Sequence, residues 1–402
     1  MASRVTGKVA AVTAAVAVAA LAIALALVAA GNSAAPSATL PAPSAGTTAT
    51  GAQHQQTHAV AAVKPKPLRP GESRMALRMS TAYRPAAPNG VGTDDYRCFL
   101  LDPRLTQDRY LTGTFVKPDD RAVVHHVILF RVDPDQVSAA KQLDAKDPGE
   151  GWTCFGDSGL PNSNDLDDAP WLGAWAPGSQ ESVDAPGYGV PLPAGSRIVM
   201  QVHYNLLAGS GADRSAALLR LAPPAAHLTP IETMLLPAPV ELPCRPGHTD
   251  NVLCDRTTSI ADVVRRFGPV GQTNNWLNVL CGEQRDTEVT TCTRTIREPT
   301  TIRAVAGHMH LLGRSIKIQV DPGTPRARTI LDIPVWDFDN QGARQIKPVS
   351  LQPGETVKVT CKHVQWLRDQ LPAFHGQPDR YVVWGEGTTD EMCLGILAVT
   401  HP

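Results

Sequence analysis

The sequence predicts an all-β protein made of two antiparallel β-sandwich, jelly-roll-like domains side by side. Three observations predict it. Apolar residues come in short runs rather than long ones. Thirty-five prolines and 32 glycines supply turn signals between the runs. Long amphipathic helical patterns are missing, apart from a short one over Ser259 to Phe267 that Gly268 and Pro269 would end.

The 402 residues suffice for two domains of roughly 150 residues each once a tail is set aside. Hydrophobic residues make up 43% and charged residues 19%, a composition that can bury a core. The 37 Lys and Arg balance 38 Asp and Glu, so no basic field draws in nucleic acid. The protein is expected to be a monomer.

At the N-terminus, Arg4 and Lys8 precede an apolar run of 22 residues, Val9 to Ala30. About 20 apolar residues span a bilayer as a helix, and the flanking positive charges place the chain beyond it outside the cytoplasm. An uncleaved anchor over residues 1–30 is favoured. A cleaved signal peptide is the alternative, because small residues occur around Asn32-Ser33-Ala34. Both send the rest of the chain to an extracytoplasmic site, tethered to the membrane or secreted. Residues 31–75 are rich in Ala, Pro, Ser and Thr and read as a disordered linker. His54 and His58 fall in it and are not expected to bind metal.

Beyond the linker, strand-like runs cover Val123 to Phe130, Arg197 to Tyr204, Thr301 to Val305, Ser315 to Val320, Thr356 to Cys361, Tyr381 to Trp384 and Met392 to Val399. A boundary near Leu221 to Ala225 divides them into an N-terminal domain, 76–225, and a C-terminal domain, 226–402. The eight cysteines form no C-x-x-C pair, and an even count in an exported chain reads as four disulfides. Short separation favours Cys244–Cys254 and Cys281–Cys292, with the other pairings of these four left open.

Four places carry possible chemistry. In a strand, residues i and i+2 share a face, so His308 and His310 can grip one metal while Met309 turns away. Alone, H-x-H also suits zinc hydratases and cupins. Leu311-Leu312-Gly313-Arg314 offers no carboxylate of the kind a cupin would use. His125 and His126 are adjacent and face opposite sides unless a bulge intervenes. Two imidazoles in so apolar a strand are costly unless something uses them. His203 shares a face with Gln201, and by itself is an ordinary hydrogen-bonded histidine. Met392 by itself is core filling. Together, imidazole and thioether form a soft donor set suited to Cu(I), and an all-imidazole site also suits copper.

The stretches Val124-His125-His126-Val127, Gln201-Val202-His203-Tyr204, His308-Met309-His310-Leu311-x-Gly313 and Thr389-Asp390-Glu391-Met392-Cys393 occur in this order. In this the chain resembles the type II ascorbate-dependent copper monooxygenases, which include dopamine β-monooxygenase and the peptidylglycine α-hydroxylating enzyme. The resemblance spans about residues 95 to 400.

The resemblance implies two β-sandwich domains, each bringing one copper to a solvent-filled cleft. His125, His126 and His203 would hold the first ion. His308, His310 and Met392 would hold the second, where O2 binds and a substrate C–H is hydroxylated. Ascorbate, or another one-electron donor, would reduce both. Gln201 would shape the route between them. The resemblance further implies Cys98–Cys154, bracing the first domain, and Cys361–Cys393, pinning the segment with Met392. The peptide-amidating branch has an arginine two residues before H-x-H, where this chain has Ala306, so a peptide ending in glycine is not the expected substrate. The competing readings are a copper-storing or copper-sensing surface protein without turnover, and a zinc-loaded adhesion module. Met392 argues against the latter. His363 and His375 are expected to be surface or structural histidines.

Overall fold

The strand-forming runs pair into five antiparallel-rich sheets in the computed structural model, which describes residues 65–402 except 89, 91, 148, 162–164, 178 and 208. These residues fall within one compact unit. The expected anchor at residues 1–30, most of the linker, and His54 and His58 lie outside them. No described helix is long and apolar enough to cross a membrane.

The first sandwich packs two sheets. One has Trp152–Thr153, Asp94–Leu101, Arg197–Asn205, Val124–Val132 and Trp171–Trp175 in spatial order. The other is built around Ser73–Arg78, Ala216–Ala222, Arg109–Lys117 and Tyr188–Leu192. Alternation along the strands decides what lies between them. Val127, Leu129, Met200, Val202 and Tyr204 face Leu77, Leu111, Val116 and Leu219 in one core. The opposite face of the first sheet packs Ile128, Phe130 and Val199 under the Val137–Lys146 helix and the Cys98–Cys154 disulfide. The first strand begins at Ser73, inside the stretch expected to be linker.

The second sandwich sets Glu232–Pro237, Leu394–Thr400, Thr300–His308 and Arg344–Leu351 against Val289–Thr295, Thr356–His363, Gly313–Val320 and Arg328–Ile333. Ile302, Val305, Leu397 and Val399 meet Ile316, Ile318, Val357 and Val359 across its core. Each such buried aliphatic side chain contributes about 1.5–3 kcal/mol of transfer free energy. Strand pairing passes from the first sandwich to the second between Pro230 and Glu232, a few residues beyond the expected boundary.

The expected helix exists and is longer, Arg256–Phe267, because Asp255 caps it by accepting the Thr258 N–H at 2.8 Å. A further helix, Thr273–Cys281, was not anticipated. Its apolar stripe, Trp276, Val279 and Leu280, is exposed, while Asn274, Leu277 and Asn278 are buried. All eight cysteines pair, as Cys98–Cys154, Cys244–Cys254, Cys281–Cys292 and Cys361–Cys393. Four disulfides suggest an oxidising, extracytoplasmic environment.

Candidate metal centre

A β-bulge solves the problem posed by adjacent histidines. Against the Arg197–Asn205 strand, Val124 pairs with Tyr204 and His126 with His203, so His125 is an extra residue in the ladder. The extra residue rotates the chain locally, and both imidazoles swing to the side occupied by His203. The three Nδ1 atoms then form a nearly equilateral triangle, with separations of 3.2, 3.2 and 3.3 Å. The centre of such a triangle lies about 1.9 Å from each nitrogen, close to a metal–imidazole bond length. Burial and the neighbouring histidines hold His125 and His126 well below the ordinary imidazole pKa, so their nitrogens present lone pairs near neutral pH.

The surroundings fix the rings. His203 donates from Nε2 to Asp94 Oδ1 at 2.9 Å, which leaves its Nδ1 as the free lone pair. Tyr96 stacks on His203 at 4.0 Å with 14° between planes. Phe338 stacks on His125 at 4.6 Å.

His308 is the last residue of its strand, and His310 lies two residues beyond in irregular chain. The alternation expected of a strand nevertheless holds. Met309 is fully buried in the second core, while the two imidazoles face each other with centroids 5.1 Å apart. His308 Nδ1 donates to Gln341 Oε1 at 2.7 Å, and His310 Nδ1 lies 3.3 Å from the carbonyl of Asp390. Both second nitrogens are thereby left as acceptors. His310 Nε2 is buried with no hydrogen-bond partner among the described residues, which a buried polar atom does not ordinarily tolerate. Burial and His310 push the His308 pKa down to about 3.

Met392 precedes the Leu394–Thr400 strand rather than lying in it. It is buried and shares a cavity wall with His308. Its backbone is held on every side. Cys393 is disulfide-bonded to Cys361, and His363 Nε2 donates to the Met392 carbonyl at 3.1 Å. Glu391 accepts the backbone N–H groups of His310 at 3.0 Å, Met392 at 3.3 Å, and Leu312. One carboxylate thus fastens two segments that carry donor atoms. His363 is a buried brace, and His375 is exposed.

The two clusters adjoin. The rings of His126 and His308 are 5.9 Å apart, edge to face, where the family resemblance implies a solvent-filled cleft. Beside them lies a cavity of about 590 Å³ lined by Trp171, Leu235, Leu277, Trp384 and both His308 and Met392. Gln201 reaches its wall, with Nε2 donating to the Asp157 carbonyl at 2.9 Å. Glu386 also lines it, and burial pushes its carboxyl up to about 8.

The chain matches no known family and no curated protein. Among solved structures it is similar to the major capsid protein P2 of bacteriophage PM2, at 9% identity and a TM-score of 0.29, covering 82% of this chain and 97% of that one. It is similar to a Paenibacillus xanthan lyase at 12% identity and a TM-score of 0.19, covering 81% of this chain and 25% of that one. It is similar to allantoicase at 11% identity and a TM-score of 0.17, covering 70% of this chain and 77% of that one. Likenesses this slight say nothing of what the chain does.

The donor sets fit copper. Three imidazole nitrogens converge on one point, and His308 shares a cavity wall with Met392, whose thioether is the softest neutral donor among the side chains. Asp94, Tyr96, Gln341 and Glu391 carry no signal in the sequence that marks them as supports. The alternation Asp94-x-Tyr96-x-Cys98 puts the three on one strand face. What that face meets depends on the second sandwich, which no local pattern encodes.

Proposed function

We propose that the chain is a copper monooxygenase that hydroxylates a C–H bond of a small organic substrate, using O2 and ascorbate or another one-electron donor. His125, His126 and His203 hold one ion. His308, His310 and Met392 hold the other. The observation that carries the reading is the triangle of three Nδ1 atoms with 3.2–3.3 Å edges, set against a second imidazole pair whose His310 Nε2 is buried without a partner among the described residues.

When bound, copper supplies one-electron chemistry towards dioxygen. One oxygen atom enters the C–H bond and the other leaves as water, with two electrons and two protons from the donor. The chain's own residues arrange this. Asp94 and Gln341 fix the tautomers of His203 and His308. Glu391 and the Cys361–Cys393 disulfide fasten the backbone that carries Met392 to the backbone that carries His310. Trp171, Trp384, Leu235 and Leu277 make an apolar bed and exclude water. No Lys or Arg is among the described residues lining the cavity, so an anionic substrate finds no counter-charge. Ala306, where the amidating branch has its arginine, agrees with that.

The cavity favours an enzyme over a copper store, because storage needs no 590 Å³ apolar space beside the ligands. The test is oxygen uptake by the copper-loaded, ascorbate-reduced protein over a panel of small amines, phenethyl compounds and peptides. Substrate-dependent uptake that vanishes in Met392→Ile, with the three-histidine ion retained, supports the proposal. Full loading with no uptake supports storage. One ion or none per chain sinks the two-site reading.

A further inference from the structure

A single carboxylate oxygen joins the two clusters. Asp94 is buried, and its Oδ1 takes three donors: His203 Nε2–H at 2.9 Å, the Thr388 backbone N–H at 3.0 Å and the Thr388 hydroxyl at 2.7 Å. His203 belongs to the first sandwich, whereas Thr388 belongs to the segment that runs into Met392. Two residues along the same strand face, Tyr96 repeats the arrangement. Its ring stacks on His203 and its hydroxyl donates to the Glu386 carbonyl at 2.7 Å. Asp94 and Tyr96 therefore grip the 386–388 turn while they orient the first histidine cluster.

That turn is stiff. Gly385 N–H donates to the Glu391 carbonyl at 3.0 Å and Asp390 N–H to the Gly387 carbonyl at 2.8 Å. The Asp390 carboxylate is clamped by Arg266 and Arg380, and fills the space where a side chain at Gly385 or Gly387 would go, 2.8 Å from each. Two residues beyond Thr388, the Asp390 carbonyl faces His310 Nδ1, and Met392 comes two residues later. A displacement of Thr388 is passed on to His310 and Met392, two of the three donors of the second cluster, rather than absorbed between.

We propose that Asp94 is a positioning residue shared by both metal sites, and that its contact with Thr388 makes the second site's affinity and geometry depend on the first. This rests on the two-copper reading of the chain. Asp94 acts through His203 and through the turn and touches no reacting atom.

The test is anaerobic titration of the full-length chain with Cu(I) against a chromophoric Cu(I) chelator, with copper-edge X-ray absorption to detect the sulfur neighbour. Thr388→Val removes the hydroxyl at nearly constant volume. The expected result is an unchanged first ion, a second ion weakened about tenfold, and a diminished sulfur contribution. Thr388→Ser is expected to restore both. Thr388→Ala makes the same comparison if the valine variant does not fold. Asp94→Asn is expected to weaken both ions. Wild-type affinity and sulfur signal in folded Thr388→Val overturn the coupling while leaving the copper reading standing. A wild-type chain that takes up fewer than two ions overturns both, and that result needs no variant to recognise it.

Discussion

His126 and His308 come from different sandwiches and meet edge to face with ring centroids 5.9 Å apart. Ions held as proposed by the two clusters would be neighbours, and a magnetic interaction between them is expected. The doubly Cu(II)-loaded protein is expected to show a paramagnetic resonance signal broadened by dipolar coupling and integrating to two spins per chain. His308→Ala should return an unbroadened signal of one spin. Two independent, sharp signals in the wild type would contradict the contact.

Met392 supplies the only thioether among the residues proposed as ligands. Met392→Ile conserves volume, so stability should fall by less than about 1.5 kcal/mol. Cu(I) retention at the second site should fall far more, and substrate-dependent oxygen uptake should disappear. Chemical denaturation and metal analysis of the same sample separate the two effects.

Glu391 accepts three backbone N–H groups in a buried place. Glu391→Ala orphans all three and leaves His363 without its carboxylate neighbour. A loss of roughly 3–5 kcal/mol is expected by urea denaturation of the metal-free protein.

The metal-free protein should be acid-labile. His308 titrates near 3 when folded against an ordinary imidazole value near 6.5, so between these limits the unfolded chain binds more protons. Stability from this group is complete above about 6.5 and is lost as pH falls towards 3. His125 and His126, also shifted down, act in the same direction. Melting temperatures of the chelator-treated protein across this range check it, and added copper should steepen the dependence by competing with protons.

Glu386 has the opposite sign. Its carboxyl is raised to about 8 by burial, so the folded state holds the proton more tightly than the unfolded chain. Its contribution to stability is present below about 4.5 and is lost as pH rises to about 8. Glu386→Gln should remove that slope, making the variant relatively more stable than wild type at pH 8 than at pH 5.

The fold class was legible because Val127, Leu129, Met200, Val202, Ile316 and Ile318 alternate or run apolar in short stretches that only a packed sheet can use. The adjacency of His125 and His126 left two outcomes open, one ring on each side of a regular strand or a bulge that brings both to one side, and the structure has the bulge. Met392 was harder. It stands outside its expected strand, and its usefulness depends on Glu391, His363 and a disulfide, which hold it through contacts that no local pattern encodes. The contact between Asp94 and Thr388 spans 294 residues and was invisible for the same reason. The Thr273–Cys281 helix was missed because it is only nine residues long, and its apolar stripe of Trp276, Val279 and Leu280 faces outward rather than into a core.

The bulge at His125 would also separate folding from the proposed metal chemistry. Removing that single residue would let Val124 and His126 fall into unbroken register with Tyr204 and His203. The sandwich would keep its core, and only a donor would be gone. A plain scaffold and the proposed metal-binding one would thus be neighbours in sequence space, one codon apart.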